Sequence, residues 1–406
     1  MSPKIIPEKQ VRPGYKVTEV GIIPMDWEVK RLGELLDFKN GLNKEKEAFG
    51  YGTPIVNYMD VYGKRGLTAS DIKGKVSLSN DELRNYEARK GDVFFTRTSE
   101  TVQEIGYSSI LLEDIENATF SGFVLRGRPK NNELFGPYEK YCFSTQSVRK
   151  DIISSSTYTT RALTNGRSLS KVRISLPSKP EQFAIAQVLS DTDALIVSLE
   201  ALIAKKKAIK HGTMQELLTG KRRLPGFSGE WEDTLFSKAC EIKRGQMITS
   251  SIKKAGKIPV IAGGKMPAYY HNESNRNGKT ITISASGANA GYIGFYNTPI
   301  FASDCSTISE SNSYSIKFIY YFLLLMQNRI YLMQTGGAQP HIHPKDLNPI
   351  KLSLPCSNEQ SAIAQVLSDI DSEISDLENK RDKYKHIKQG MMSELLTGNI
   401  RLLGMI

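Results

Sequence analysis

The feature that most constrains this chain is a 44-residue segment that it carries twice. Glu181–Leu224 reads EQFAIAQVLSDTDALIVSLEALIAKKKAIKHGTMQELLTGKRRL, and Glu359–Leu402 reads EQSAIAQVLSDIDSEISDLENKRDKYKHIKQGMMSELLTGNIRL. Aligned without a gap at a displacement of 178, the copies are identical at 27 of 44 positions. In the second copy Ile363, Leu367, Ile370, Ile374, Leu377, Arg381, Tyr384, Lys388, Met391 and Leu395 follow one another in alternating steps of four and three, a heptad seam. The first copy sets Ile185, Leu189, Thr192, Ile196, Leu199, Ile203, Lys206, Lys210, Thr213 and Leu217 in the same register. Both seams turn polar in their C-terminal halves, which suits an amphipathic partner helix or a wetter end of a bundle. Pro180 fits a first helical turn, and Thr219-Gly220 and Thr397-Gly398 fit C-terminal stops. Gly212 and Gly390 sit inside the patterns, each at a cost of about 1 kcal/mol against Ala; they are expected to mark a bend or a close helix contact. A helix of about 38 residues spans about 57 Å, a rod long enough to hold two globular units apart.

The duplication extends beyond the helices. Ile23–Gly41 (IPMDWEVKRLGELLDFKNG) has a counterpart in Leu224–Gly245 (LPGFSGEWEDTLFSKACEIKRG). Trp27 matches Trp231, Lys39 matches Lys243 and Gly41 matches Gly245, all displaced by 204. The two tryptophans are expected to anchor each domain start against a helix. Ser168–Ser178 matches Asp346–Cys356, again displaced by 178. Between these markers the two stretches diverge into short strands and Gly-rich turns, with apolar segments such as Ser315–Gln334, read as one buried helix, and its analogue Pro137–Ile153. The expected organisation is an N-terminal arm (1–22), a first domain (23–178), a long helix (179–222), a second domain (223–356) and a second long helix (357–402). The fold class is α+β: two globular α+β domains separated by two long antiparallel coiled-coil helices, with a pseudo-twofold internal repeat.

Lys plus Arg exceed Asp plus Glu, 54 against 43, so a polyanion is the first partner to consider. No run approaches the roughly 18 apolar residues of a membrane span. The N-terminus has no apolar signal core, and four scattered cysteines without a CxxC pair fit a reducing, cytoplasmic setting. The chain shows no P-loop, no HExxH and no Asn-Pro-Pro-Tyr stretch. GANAGYIG (Gly287–Gly294) reads as a hairpin turn. His341 and His343 lack a third metal ligand nearby, and Asp191/Asp193 with Asp369/Asp371 read as solvated helix surface.

What remains is a non-enzymatic reader. Each domain would contact a short DNA element, with Lys and Arg on phosphates and a few polar side chains at base edges. In the first domain the candidates are Lys64, Arg65, Arg97, Thr98, Ser99, Arg161, Asn165 and Arg167; in the second they are Gln246, Tyr270, Asn272, Ser286, Asn289, Gln339 and His341. No catalytic or metal-binding residue is assigned. Two other readings stay open at this level: a coiled-coil assembly protein that binds protein partners, and a self-contained DNA-modifying enzyme.

Taken together, IPMDWEVKRLGEL, LPGFSGEW, the twin EQ-x-AIAQVLSD-x-D…M-x-ELLTG helices and the run IPVIAGGKMPAYYHNES…ITISASGANAGYIGF resemble the specificity subunit of type I restriction-modification systems. The resemblance covers nearly the whole chain. It implies two target recognition domains, each reading one half of a bipartite site in double-stranded DNA, and antiparallel helices that set the gap. It implies that the N-terminal arm helps close a circular arrangement. It also implies docking of two modification subunits that bind S-adenosylmethionine and methylate adenine, and of restriction subunits that use ATP and Mg2+; no cofactor is expected on this chain.

Overall fold

The computed structural model describes residues 11–248, 255–337 and 339–403. The chain forms two compact units: Met1–Val197 with Asp382–Ile406, and Ser198–Arg381. Each unit therefore contains half of each long helix. The first helix runs Lys179–Leu217 and the second Ser357–Leu395. Both stop where Gly220 and Gly398 adopt φ of +69° and +72°, the left-handed conformation that ends a helix without a Cβ penalty.

All twenty seam positions are buried or half-buried. Within the first unit the helix halves run antiparallel, with Leu189 in one core with Leu395 and Leu396, and Asp193 paired to Lys388. Within the second, Lys210 pairs with Asp371 at 2.6 Å and Lys206 with Glu373 at 2.7 Å. The antiparallel arrangement explains the polar half of the seam. It sets the basic C-terminal half of each helix against the acidic N-terminal half of the other.

Asp193 is half-buried, contrary to the sequence expectation of a solvated surface, whereas the Asp371 side chain stays 39% exposed; each is nevertheless engaged by a tyrosine. Tyr141 Oη donates to Asp193 at 2.8 Å, and Tyr321 Oη donates to Asp371 at 2.8 Å. Burial raises the pKa of Asp193, but the hydrogen bonds from Lys388 and Tyr141 outweigh it and hold the carboxyl below its ordinary range. Only the i−2 partners, Asp191 and Asp369, lie on the outside, bonded to Gln187 and Gln365. Gly212 and Gly390 mark no close contact, since a Cβ at either would meet nothing within 4 Å.

The globular parts share one topology. In the first unit, strands Leu36–Asn40, Val124–Pro129, Val93–Thr96, Ser108–Leu111 and Gly66–Leu67 lie side by side in that order. The second unit repeats the order with Lys243–Arg244, Cys305–Ser309, Thr280–Ser284 and Ile293–Tyr296, with no fifth strand among the described residues. A second sheet also recurs: Thr119–Phe120, Phe49–Val56 and Lys75–Val76 in one unit, and Phe301–Ala302, Ile258–Ile261 and Tyr269–His271 in the other. Gly41 and Gly245 are glycine for one reason. A Cβ would stand 2.0 Å from the carbonyl oxygen of Ser121 or of Ser303.

Each expected buried helix is broken in two. Ser315–Gln334 holds Ile316–Leu325 and Gln327–Leu332, hinged at Met326. Its counterpart holds Gly136–Cys142 and Gln146–Ser155. Gln182 and Gln360 pin these helices to the long ones. Each amide oxygen accepts from a backbone N–H at the helix entry (Phe135 or Ser315), and each amide nitrogen donates to a proline carbonyl (Pro177 or Pro355).

Of the expected arm, residues 1–10 lie outside the described residues. From Tyr15 on it is a hairpin rather than an extended arm, Tyr15–Thr18 pairing with Gly21–Pro24. The hairpin lies against the end of the second long helix: Tyr15 Oη donates to the Gly398 carbonyl at 2.6 Å and Arg12 to the Asn399 carbonyl at 2.7 Å. Trp27 is fully buried, and its Nε1 donates to Glu181 Oε2 at 2.8 Å. Arg401 grips the same carboxylate and also Asp26. Trp231 packs against Gly220 and edge-on to Phe318. Both tryptophans thus anchor a domain start, each against the end of a long helix.

Candidate nucleic-acid interface

The candidates sort by what already holds their side chains. Lys64 pairs with Asp71 at 2.7 Å, and Arg97 Nη1 donates to the Gly122 carbonyl at 3.2 Å. Asn165 caps the helix Gly166–Ser170 by accepting from Ser168 N–H, and Arg167 lies exposed on that helix. Arg65 borders a cavity of about 560 Å3 with Lys64, Lys140 and Arg149. Within that set Lys140 faces Asp193 and Arg149 donates to the carbonyls of Gln103, Ile105 and Gly106. Gln246, Tyr270, Asn272 and Gln339 are exposed, and Asn289 is half-buried in the turn of the Gly287–Gly291 hairpin.

Thr98, Ser99 and Arg161 come together. They line a cavity of about 350 Å3 with Tyr58, Glu100, Glu104 and Phe123. The cavity sits where Thr98–Ser99, just past the central strand, pairs with Ala162–Leu163, which in turn pairs with Thr157–Tyr158. One wall is tied together by Glu104, which accepts from Tyr62 Oη at 2.6 Å; this bond lowers the Glu104 pKa and pushes that of Tyr62 up to about 12. In the second unit Ser286 and His341 pair as a β-bridge, Ser286 Oγ donates to Asp304, and the His341 ring stacks parallel to that of His343 at 6.1 Å.

Sequence reasoning missed Phe123, Tyr58, Glu104 and Asp304. Phe123 is 61% exposed, an unusual position for a large apolar side chain beside a polar cavity. Its equivalence to Asp304 is carried by the backbone, so no residue-type match could reveal it.

No group of three or more His, Cys, Asp or Glu placed to hold a metal ion occurs among the described residues. No described helix is long and apolar enough to cross a membrane.

Comparison with known proteins accounts for this duplicated frame. A family model described as type I restriction modification DNA specificity domain matches residues 24–211 and again residues 229–388. The chain is 26% identical over 416 residues to a provisionally named type I restriction enzyme MjaX specificity subunit of Methanocaldococcus jannaschii, covering 96% of this chain and 97% of that one. It is 23% identical to the type I restriction enzyme MjaVIII specificity subunit of the same organism, with 94% of each covered. In fold it is similar to the S subunit of a type I restriction-modification system from M. genitalium, with a TM-score of 0.61 at 18% identity, covering 97% of this chain and 99% of that one. On the two family matches, which span most of its length, the chain belongs to the type I restriction modification DNA specificity family.

Proposed function

We propose that this chain is the DNA-reading component of a type I restriction-modification complex, recognising a bipartite site in double-stranded DNA. Residues 23–178 would read one half and residues 223–356 the other, with the gap set by the helices at 179–222 and 357–402. The chain would position two methyltransferase subunits for adenine methylation, and restriction subunits where the system has them. S-adenosylmethionine, ATP and Mg2+ would belong to those partners.

The observation that carries this reading is the contrast between frame and loops. Both units keep the same strand order and the same Gln, Tyr, Asp and Gly fixtures, while the exposed loops share almost no side-chain chemistry. Two similar frames with unlike contact surfaces suit two different short sequences. The net positive charge supplies phosphate affinity. Two equivalent subunit sites find support in Ile209 and Ile387, displaced by 178. Each is exposed (45% and 40%), and each lies three residues before the open glycine on the same helix face.

The test is to map base modification genome-wide in the host with and without the gene. A bipartite motif with a fixed gap, modified only when the gene is intact, is the expected result. Replacing residues 42–165 with those of another family member should then change one half of the motif and leave the other half and the gap intact. Motifs indifferent to the gene would refute the reading.

A further inference from the structure

The backbone of the two units gives a residue-by-residue equivalence across their divergent loops. Arg97 N–H donates to the Phe123 carbonyl, as Ala285 N–H does to that of Asp304. Thr164 N–H donates to the Arg97 carbonyl, as Ile342 N–H does to that of Ala285. Leu163 pairs with Thr98 and Thr157, as His341 pairs with Ser286 and Thr335. These bonds equate Phe123 with Asp304, Thr98 with Ser286 and Leu163 with His341. Arg161 and Gln339 each stand two residues earlier on the same hairpin.

Most duplicated fixtures keep their residue type: Gln182 and Gln360, Tyr141 and Tyr321, Asp193 and Asp371. At three of these four places the backbone is kept and the chemistry is replaced; at the fourth, Thr98 and Ser286 both present a hydroxyl. Phe123, 61% exposed, lines the cavity of about 350 Å3 together with Arg161, and Leu163, 40% exposed, stands on the strand that pairs with Thr98. Their counterparts are a carboxylate bonded to a hydroxyl, an imidazole and an exposed amide.

Resting on the DNA-reading function proposed above, we infer that these four equivalent positions are the base-reading residues of the two units. The first set presents a planar double donor and apolar surface, which fits guanine O6 and N7 and the thymine methyl. The second presents acceptors, Asp304 foremost, which fit the exocyclic amine of cytosine or adenine, with Gln339 suited to adenine N6 and N7. The half-site of the first unit therefore contains a guanine contacted by Arg161. That of the second contains a base whose amine is contacted by Asp304.

The experiment assembles the complete complex with Arg161→Ala, Asp304→Asn or the wild-type chain. It selects bound sequences from a DNA library randomised across the motif, alongside modification maps in cells. Arg161→Ala should reduce discrimination at one guanine position by about tenfold or more, leaving the other half and the gap unchanged. Asp304→Asn should do the same at one position of the opposite half. If both variants fold as the wild type by thermal melting and every motif position stays as strictly specified, the inference is overturned. Because gene deletion is mapped in parallel, that outcome is separable from failure of the function itself, in which deletion would alter no motif.

Discussion

In the first unit the buried carboxylate Glu181 has two donors, the Trp27 indole and the Arg401 guanidinium; in the second unit its counterpart Glu359 is gripped by Arg223. The Trp231 indole N–H is buried with no hydrogen-bond partner. Chain connectivity accounts for the difference. Arg223 follows directly on its own helix and is delivered to Glu359 by a short stretch of chain. Arg401 and Trp27 come from opposite ends of the sequence, 374 residues apart. There the same junction has no covalent link and is held by side chains: Trp27, Asp26 and Tyr15 on one side, Arg401 and Gly398 on the other. A duplicated frame can keep its residues and still distribute its hydrogen bonds according to where the chain is continuous.

The largest effects should come from the arginines. Both carboxylates are only 1% exposed, so removing the partner leaves a buried charge uncompensated. Arg223→Ala should lower the melting temperature of the second unit by roughly 10 °C. Arg401→Ala should affect the first unit less, because Trp27 still donates to Glu181. Hydrogen exchange of the helix amides after Glu359 and after Glu181 reads the two units separately. Equal losses would show that the indole bond contributes nothing.

A second contrast lies under the sheets. Glu139 stands two residues before Tyr141, and Ile319 stands in the same place before Tyr321. Both are buried, and Glu139 Oε2 has no partner. Burial pushes the Glu139 pKa up to about 8. The folded unit therefore holds a proton that the unfolded chain releases at about its ordinary value of 4.5. Stability of the first unit should then fall as pH rises from about 4.5 to about 8, by on the order of 4 kcal/mol. Glu139→Ile, which copies the second unit, should flatten that slope. The chain has two tryptophans, one per unit, so urea titrations at pH 5 and pH 8 in a Trp231→Phe background report the first unit through Trp27. An unchanged slope would mean that Glu139 is hydrated rather than buried.

The tryptophans themselves sharpen the comparison. Trp27→Phe removes a buried hydrogen bond to a charged group and should cost about 2 kcal/mol beyond its packing loss. Trp231→Phe removes an N–H that has no partner, so its cost should be confined to packing. Denaturant midpoints followed by circular dichroism check this, and a larger loss from Trp231→Phe would invert the assignment.

Much of this architecture was legible in the residues, because heptad spacing and a gapless 178-residue displacement are periodic signals that survive substitution. The helices, their seam and the two tryptophan anchors could all be read that way. The polar half of the seam could not, since Lys206 and Lys210 acquire meaning only from Glu373 and Asp371 across an antiparallel pair. Neither could the engagement of Asp193 and Asp371, whose tyrosine donors lie some fifty residues upstream. At the candidate interface Thr98, Ser99 and Arg161 were visible as polar residues beside turns. Phe123 was not, because its equivalence to Asp304 is carried by backbone bonds, and an isolated Phe reads as core. Asn165 read only as a polar loop residue, and its capping of the helix Gly166–Ser170 was not visible in the sequence.

The smallest expected effect tests whether the two helices are equivalent where the anchors are not. Gly212 lies in the second unit and Gly390 in the first, each five residues before the end of its helix and each with open space where a Cβ would stand. Neither needs a positive φ, so alanine adds helix propensity with no steric penalty. Each substitution should stabilise its own unit by about 1 kcal/mol, equally for both, as urea midpoints would show. If the open glycine beside Ile209 or Ile387 instead admits the close approach of a methyltransferase subunit, the same alanine should weaken assembly of that subunit in a titration while stabilising the isolated chain. Stabilisation with unimpaired assembly at both positions would place the subunit contact elsewhere on the helices, and opposite effects at the two positions would show that the duplication no longer serves two equal partners.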